Sequence, residues 1–275
     1  MIATAMSALP EQGFVPPGPG DFNLPPIGPD RTFTFLGETM YLGVTKPMLQ
    51  LVLSALVVFF FFYLAGRRRA MVPGKLQFVG EAGYGFARNS LGRDIIGSHD
   101  FQRFTPYLVS LFFFILVNNL LGAVPAIQFP TFSRAGIVYG LALLSWAVYN
   151  WVGIKRQGGV GAYLKHQSVP GGVHGPILGL LVPLEFFSNL IVRPVTLALR
   201  LFANMFAGHL LLILFALGGE YLLLHGEGLV KIAGPVAWLM FILVSFLEIL
   251  IQVLQAYVFV LLTSMYIAGA VAEEH

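Results

Sequence analysis

Two long uncharged stretches of this chain carry the residues that could do chemistry. Glu185, Arg193, Arg200, Asn204 and His209 fall between positions 176 and 218, and Glu248, Gln252 and Gln255 between 231 and 272. An ionisable group in a membrane-spanning helix costs about 2.5–3.5 kcal/mol on insertion scales and more in simulation, and such residues typically mark ion paths. Histidine and a carboxylic acid exchange protons near neutral pH once neighbours tune them, whereas a guanidinium keeps its charge and cannot hand a proton on. A proton relay beside a fixed positive barrier is the simplest chemistry for this set.

Helical arithmetic sorts these residues. Arg200 and Asn204 are four apart and share a face, while His209 is half a turn away from Arg200 and roughly 13 Å further along the axis. Glu248, Gln252 and Gln255 form one polar stripe at spacings of four and three. If the two stretches form an antiparallel hairpin turning near Gly226 and Glu227, residues at equal depth have numbers of nearly constant sum. The pairs Arg200/Gln255, Asn204/Gln252 and His209/Glu248 have sums of 455, 456 and 457, so all three come out level. The protonatable pair then lies about two turns nearer the hairpin turn than the permanent cation.

The elements that must hold these residues follow from composition. Of 275 residues, 57% are apolar and 11% charged, with a mean hydropathy of +0.79. Soluble domains carry about 25% charged residues, so a water-soluble globule is excluded. A formal net charge of +3 is too small for a nucleic-acid binder, and the absence of cysteine excludes disulfides, thiolate metal sites and a cysteine nucleophile. His166 and His174 lack metal-ligand spacing, and no cofactor is expected. Uncharged runs at Pro47–Gly66, Thr105–Ala126 and Ala135–Ile154 are each long enough to cross about 30 Å of hydrocarbon. Pro176–Gly218 and Lys231–Ala272 are each about 40 residues, on the order of 60 Å of helix, which a common tilt of about 20° cannot absorb. Pro194 and Pro235 are candidate kinks without the Gly/Ser surroundings of an unwound segment, so two steeply inclined helices are expected.

The expected fold is therefore an all-α membrane protein with five transmembrane helices, the last two long and steeply tilted. Leu76–Leu91 is expected as a helix on the cytoplasmic surface, Gln157–Gly175 as a Gly-rich loop. Residues 1–46 form a Pro/Gly-rich, irregular tail, and 47–275 form the helical membrane domain. Ten Lys and Arg residues fall in two loops on one side and four on the other, which puts the N-terminus outside and the C-terminus in the cytoplasm. The expected setting is a bacterial plasma membrane.

Each polar residue also has a plainer reading. Arg200 is too far from either interface to snorkel easily, whereas Arg193 can. His209 and Glu248 could form a purely structural interhelical bond; Asn204, Gln252, Gln255, Asn118 and Asn119 could be polar glue between helices. Glu185 is either a solvated interface residue or part of an exit path. Asp94, His99, Asp100, Glu220, His225 and Glu227 read as solvated charge.

At these residues the chain resembles subunit a of the F-type ATP synthase membrane sector. The likeness rests on Pro194-Val-Thr-Leu-Ala-Leu-Arg200-Leu-Phe-Ala-Asn204-Met-Phe-Ala-Gly208-His209 and on Leu254-Gln255-Ala-Tyr-Val-Phe-Val-Leu-Leu-Thr263. Pro106-Tyr-Leu through Asn119-Leu-Leu-Gly-Ala-Val-Pro125 extends it over most of residues 47–275. The resemblance implies a stator whose two long helices face a rotating ring of small helical-hairpin subunits, each with a membrane-embedded carboxylate. It also implies peripheral-stalk partners and an indirect link to the catalytic head. Arg200 would match the arginine that separates two offset proton half-channels. His209 and Glu248 would match the inlet pair, with acid and imidazole exchanged relative to many bacterial relatives. Asn204, Gln252, Gln255 and Asn119 would line or support the path. Gly122 stands where several bacterial relatives have an aspartate.

Two other classes compete. A proton-coupled secondary transporter would use buried Arg, His and Glu without a rotary partner, but it predicts a repeat between halves and broken helices, and neither is legible here. An intramembrane hydrolase would need a nucleophile elbow, an HExxH or a buried aspartate pair, all absent from the sequence.

Overall fold

In hydrocarbon every backbone amide must find its partner within the protein, and apolar runs of this length do so as helices. The structure, a computed structural model, describes residues 14–22, 32–35, 38–41, 45–67, 72–124, 130–168 and 178–271. Its helices are α1 (Lys46–Arg67), α2 (Lys75–Phe86), α3 (Phe101–Ala123), α4 (Ala135–Arg156), α5 (Val160–Ser168), α6 (Leu178–Phe187), α7 (Arg193–His225) and α8 (Ala233–Val271). π turns at Ser188–Val192 join α6 to α7, so Gly179–His225 is one 47-residue span, and five spans are present among the described residues. The membrane part is all α-helical.

Three local features depart from the sequence expectations. The tail is not irregular throughout, because Thr32–Phe35 (β1) and Glu38–Tyr41 (β2) pair as an antiparallel hairpin with Thr32 opposite Tyr41. Thr-Phe-Thr-Phe is a β-prone sequence, which the surrounding prolines mask. The loop after α4 contains helix α5, docked by its own tertiary contacts: the Tyr163 ring lies on Gly153, and Asn189 Nδ2 donates to the Gln167 carbonyl at 2.7 Å. Burial there pushes the Tyr163 phenol up to about 12, against the opposing charge of Arg193. The fourth span runs to His225, past the expected end at Gly218, with Phe14 of the tail packed on Tyr221 at 5.5 Å.

The expected surface helix is present as α2, continuing through π turns at Ala87–Arg93. Its glycines lower helix propensity but permit close docking: a Cβ on Gly80 would lie 2.8 Å from Ala65 Cβ, and one on Gly83 would lie 2.7 Å from the Phe113 ring. The core lies between α3, α4, α7 and α8, where Leu108, Ile115, Tyr149, Leu201, Phe259 and Val260 are buried. Helix α1 stands outside this core, and its Phe59, Phe60 and Tyr63 are exposed.

Proline placement explains why the long helices survive. Pro47, Pro106, Pro183 and Pro235 all fall in the first two turns of their helices, where few i−4 bonds are lost. Pro194 is the exception, since it follows the π turns inside one span. A proline there cannot donate to the Leu190 carbonyl four residues back, and Trp146 Nε1 of α4 donates to that oxygen at 3.0 Å. The helix continues because a neighbour supplies the missing donor. Trp146→Phe keeps the ring volume and deletes the donor. We expect it to lower stability by about 1 kcal/mol, read as an earlier midpoint in detergent-induced unfolding of the chain; an unchanged midpoint would show that this carbonyl needs no partner.

Candidate functional site

α7 has two faces. Leu197, Leu201, Met205 and His209 point inward and are buried, while Arg200 and Ala203 are exposed and Asn204 is half-buried. The half-turn offset between Arg200 and His209 expected from 3.6 residues per turn is therefore realised.

On the inner face, His209 Nδ1 lies 2.6 Å from Glu248 Oε1, and both side chains are buried. His209 Nδ1 also lies 3.1 Å from the Met205 carbonyl, and Nε2 lies 3.4 Å from the Gly122 carbonyl of α3. A carbonyl only accepts, so either ring nitrogen donates to its carbonyl only when it carries a proton, and the tautomer decides which contact is made. Between Nδ1 and Oε1 one proton is shared: either the imidazolium donates to a carboxylate or the carboxylic acid donates to a neutral ring. The backbone oxygen of Gly122 thus supplies polarity where the position has no side chain to offer.

Gln252 Nε2 donates to the same Oε1 at 3.2 Å and lies 4.0 Å from Met205 Sδ. Asn119 Nδ2 of α3 donates to the Gln252 carbonyl at 3.0 Å. Glu248 Oε2, Gln252 Oε1 and Asn119 Oδ1 are buried acceptors with no hydrogen-bond partner among the described residues. One carboxylate oxygen is engaged by His209 and Gln252, and the other is buried without a hydrogen-bond partner among the described residues.

Gly208 makes this packing feasible. A Cβ there would sit 3.0 Å from Glu248 Oε1 and 3.2 Å from its carboxyl carbon, so α8 presents its acid directly against the α7 backbone. Gly208, Met205 and the Gly122 carbonyl escaped side-chain reasoning. A glycine immediately before the histidine was the one available signal.

On the outer face, Arg200, Ala203, Asn204 and Ala207 of α7 and Ile251, Leu254, Gln255 and Val258 of α8 line an open cleft of about 500 Å³. Arg200 makes no ion pair or hydrogen bond with any described residue. Gln255 is buried, with Nε2 unpartnered among the described residues. Arg193 is held apart, its guanidinium over the Tyr266 ring at 5.1 Å.

The level pairs are realised unequally. His209 and Glu248 are in contact, and Arg200 and Gln255 share one cleft. Asn204 and Gln252 diverge, because Gln252 turns to Met205 and Glu248 while Asn204 lines the cleft. Glu185 is half-buried in α6, roughly 22 Å of helix from Arg200, and is not brought into the cleft.

A pair of long helices with a buried acid–imidazole pair on one side and an unpaired guanidinium on the other defines the class: a multi-pass, ion-translocating membrane subunit. Residues 48–268 match the family described as ATP synthase A chain. Three relatives, all named ATP synthase subunit a, align over nearly their whole lengths. The one from Nocardioides sp. is 67% identical, covering 96% of this chain and 95% of that protein. The one from Pseudarthrobacter chlorophenolicus is 47% identical with both chains fully covered, and the one from Streptomyces lividans is 43% identical over 96% of this chain and 90% of that protein. The chain belongs to the F-type ATP synthase subunit a family. It is a proton-translocating membrane component that associates with other ATP synthase subunits and is not itself a catalytic subunit.

Gly208→Val drives a branched side chain into the Glu248 carboxylate. We expect passive proton conduction through the assembled membrane sector to fall roughly tenfold or more, as for other misplacements of about 1 Å, with Gly208→Ala milder. Proton uptake by vesicles stripped of the catalytic head checks this, and wild-type conduction in the valine variant would show that the carboxylate position is not critical.

Proposed function

We propose that this chain is the stator half of a rotary proton path, with two offset half-channels meeting a ring of hairpin subunits. The reading is carried by one observation: Arg200 is exposed on the outer face of α7 and no acid among the described residues neutralises it. A permanent cation at that depth calls for a counter-ion from another protein, and a membrane-embedded ring carboxylate provides one. Opposite charge favours the ionised carboxylate by about 1–3 pKa units, so the acid opposite Arg200 releases its proton there. A guanidinium has no proton to relay, which closes the direct route between the half-channels.

The inlet is the inner-face network. A proton arriving from outside reaches the free Glu248 Oε2, is shared through Oε1 with His209 Nδ1, and leaves toward the ring along the stripe Glu248, Gln252, Gln255. Glutamine amides neither gain nor lose protons at neutral pH; their role is to orient water between the acid and the cleft. Asn119 fixes the stripe through the Gln252 carbonyl, and Asn204 borders the cleft beside Arg200. Glu185, on the cytoplasmic side of Arg200, belongs with the exit half-channel. In this reading the N-terminus is outside, the C-terminus is cytoplasmic, and the membrane is the bacterial plasma membrane. The peripheral stalk holds the chain still, and the catalytic head makes ATP at a distance.

Arg200→Ala should abolish proton-driven ATP synthesis while the complex still assembles; coupled synthesis above about a tenth of wild type would overturn the assignment. The paired exchange His209→Glu with Glu248→His keeps one acid and one imidazole across the position of the 2.6 Å contact. It should retain several-fold more proton conduction than His209→Ala or Glu248→Ala alone. A double exchange as inactive as the single losses would refute the relay.

A further inference from the structure

A second polar cavity lies far from the proton path. Where α1 ends and α2 begins, Leu64, Ala65, Arg67, Val72, Gly74, Lys75, Leu76 and Gln77 line a cleft of about 750 Å³. Its two cations, Arg67 and Lys75, are exposed and make no ion pair with any described residue. Gln77, by contrast, is engaged with Glu81 at 2.8 Å. Among the described residues the positive charge of the cleft is therefore uncompensated.

Its surroundings are apolar. Phe60, Tyr63 and Leu64 on α1 and Leu76, Phe78 and Val79 on α2 are all exposed. α1 is the outermost span, and α2 lies against its end through the Ala65–Gly80 contact. The cations thus stand at the end of an apolar span, with exposed apolar side chains directly beside them. The first turn of α2 adds unbonded N–H groups, because its cap residue Gly74 has no side chain.

We propose that this cleft binds the phosphate of an anionic phospholipid, with Arg67 and Lys75 as its ligands and the apolar strip on α1 and α2 holding the acyl chains. A free phosphate would use the same two cations but would gain nothing from the exposed Phe60, Tyr63 and Phe78. Basic residues at a membrane surface attract anionic lipid by about 1 kcal/mol each. The site stands independently of the proton path, which lies on other helices.

The test uses the intact ATP synthase complex purified from membranes containing phosphatidylglycerol, with retained lipid measured by mass spectrometry. We expect the Arg67→Gln/Lys75→Gln complex to retain roughly tenfold less phosphatidylglycerol than wild type, with phosphatidylcholine unchanged. Arg93→Gln, a basic residue of α2's π extension outside the cleft, should retain the wild-type amount. Equal retention by the double variant, or equal loss in Arg93→Gln, would overturn the site. In a second arm, radiolabelled inorganic phosphate is added to complexes in pure phosphatidylcholine vesicles. Saturable phosphate binding that depends on Arg67 and Lys75, without phosphatidylglycerol retention in the first arm, would assign the cleft to a free anion and overturn the lipid reading. If the double variant fails to assemble, photoactivatable phosphatidylglycerol on the wild-type complex decides. Crosslinks concentrated on residues 64–67 and 72–77 support the site, and crosslinks spread evenly over the other helices refute it.

Discussion

A charge deep in hydrocarbon must find an opposite charge or water, and Arg200 finds neither an acid nor a hydrogen-bond acceptor among the described residues of its own chain. Three other ionisable groups of these helices are handled differently. His209 and Glu248 neutralise one another at 2.6 Å, and Arg193 lies over an aromatic face. The contrast is physical: a buried pair that satisfies itself needs no outside partner, while an unsatisfied cation calls for one. The architecture keeps the two apart by about half a turn in azimuth and roughly 13 Å along α7, so neither can quench the other.

Keeping α7 and α8 in that arrangement falls to features with no charge at all. Gly208 lets the acid reach across the helix interface, and the Gly122 carbonyl gives the imidazole a second acceptor from α3. Asn119 ties α3 to the Gln252 carbonyl. Downstream of the π turns, the Trp146 bond to Leu190 lets Pro194 sit within the span. The π turns insert extra backbone without ending the helix, so they set the azimuth of everything after them, Arg200 included. A local irregularity thus decides which face the cation takes.

Much of this was legible because membrane helices obey simple geometry. Uncharged runs marked the five spans, the constant-sum rule put His209 level with Glu248, and helical phase separated Arg200 from His209. Depth alone does not fix azimuth, which is why Asn204 and Gln252 share a level without sharing contacts. The hairpin β1–β2, helix α5, and the roles of Gly122 and Trp146 were not legible. Each depends on backbone groups or tertiary docking, and side-chain periodicity carries no record of a carbonyl oxygen left free by a proline or offered by a glycine. The π turns leave no compositional trace either, since they alter hydrogen-bond spacing and not residue type.

The polar stripe on α8 shows how one element serves both faces. Glu248 is committed to His209, Gln255 lines the Arg200 cleft, and Gln252 stands between them with one amide nitrogen on the acid and an unbonded oxygen. A second acid at position 252 would repel the Glu248 carboxylate and trap one shared proton; an apolar residue would leave a dry gap between relay and cleft. An amide avoids both outcomes, offering a donor to the carboxylate and an acceptor to water while holding no proton of its own. The stripe therefore combines two residue types: one acid paired with the imidazole, and two amides that extend from it to the Arg200 cleft.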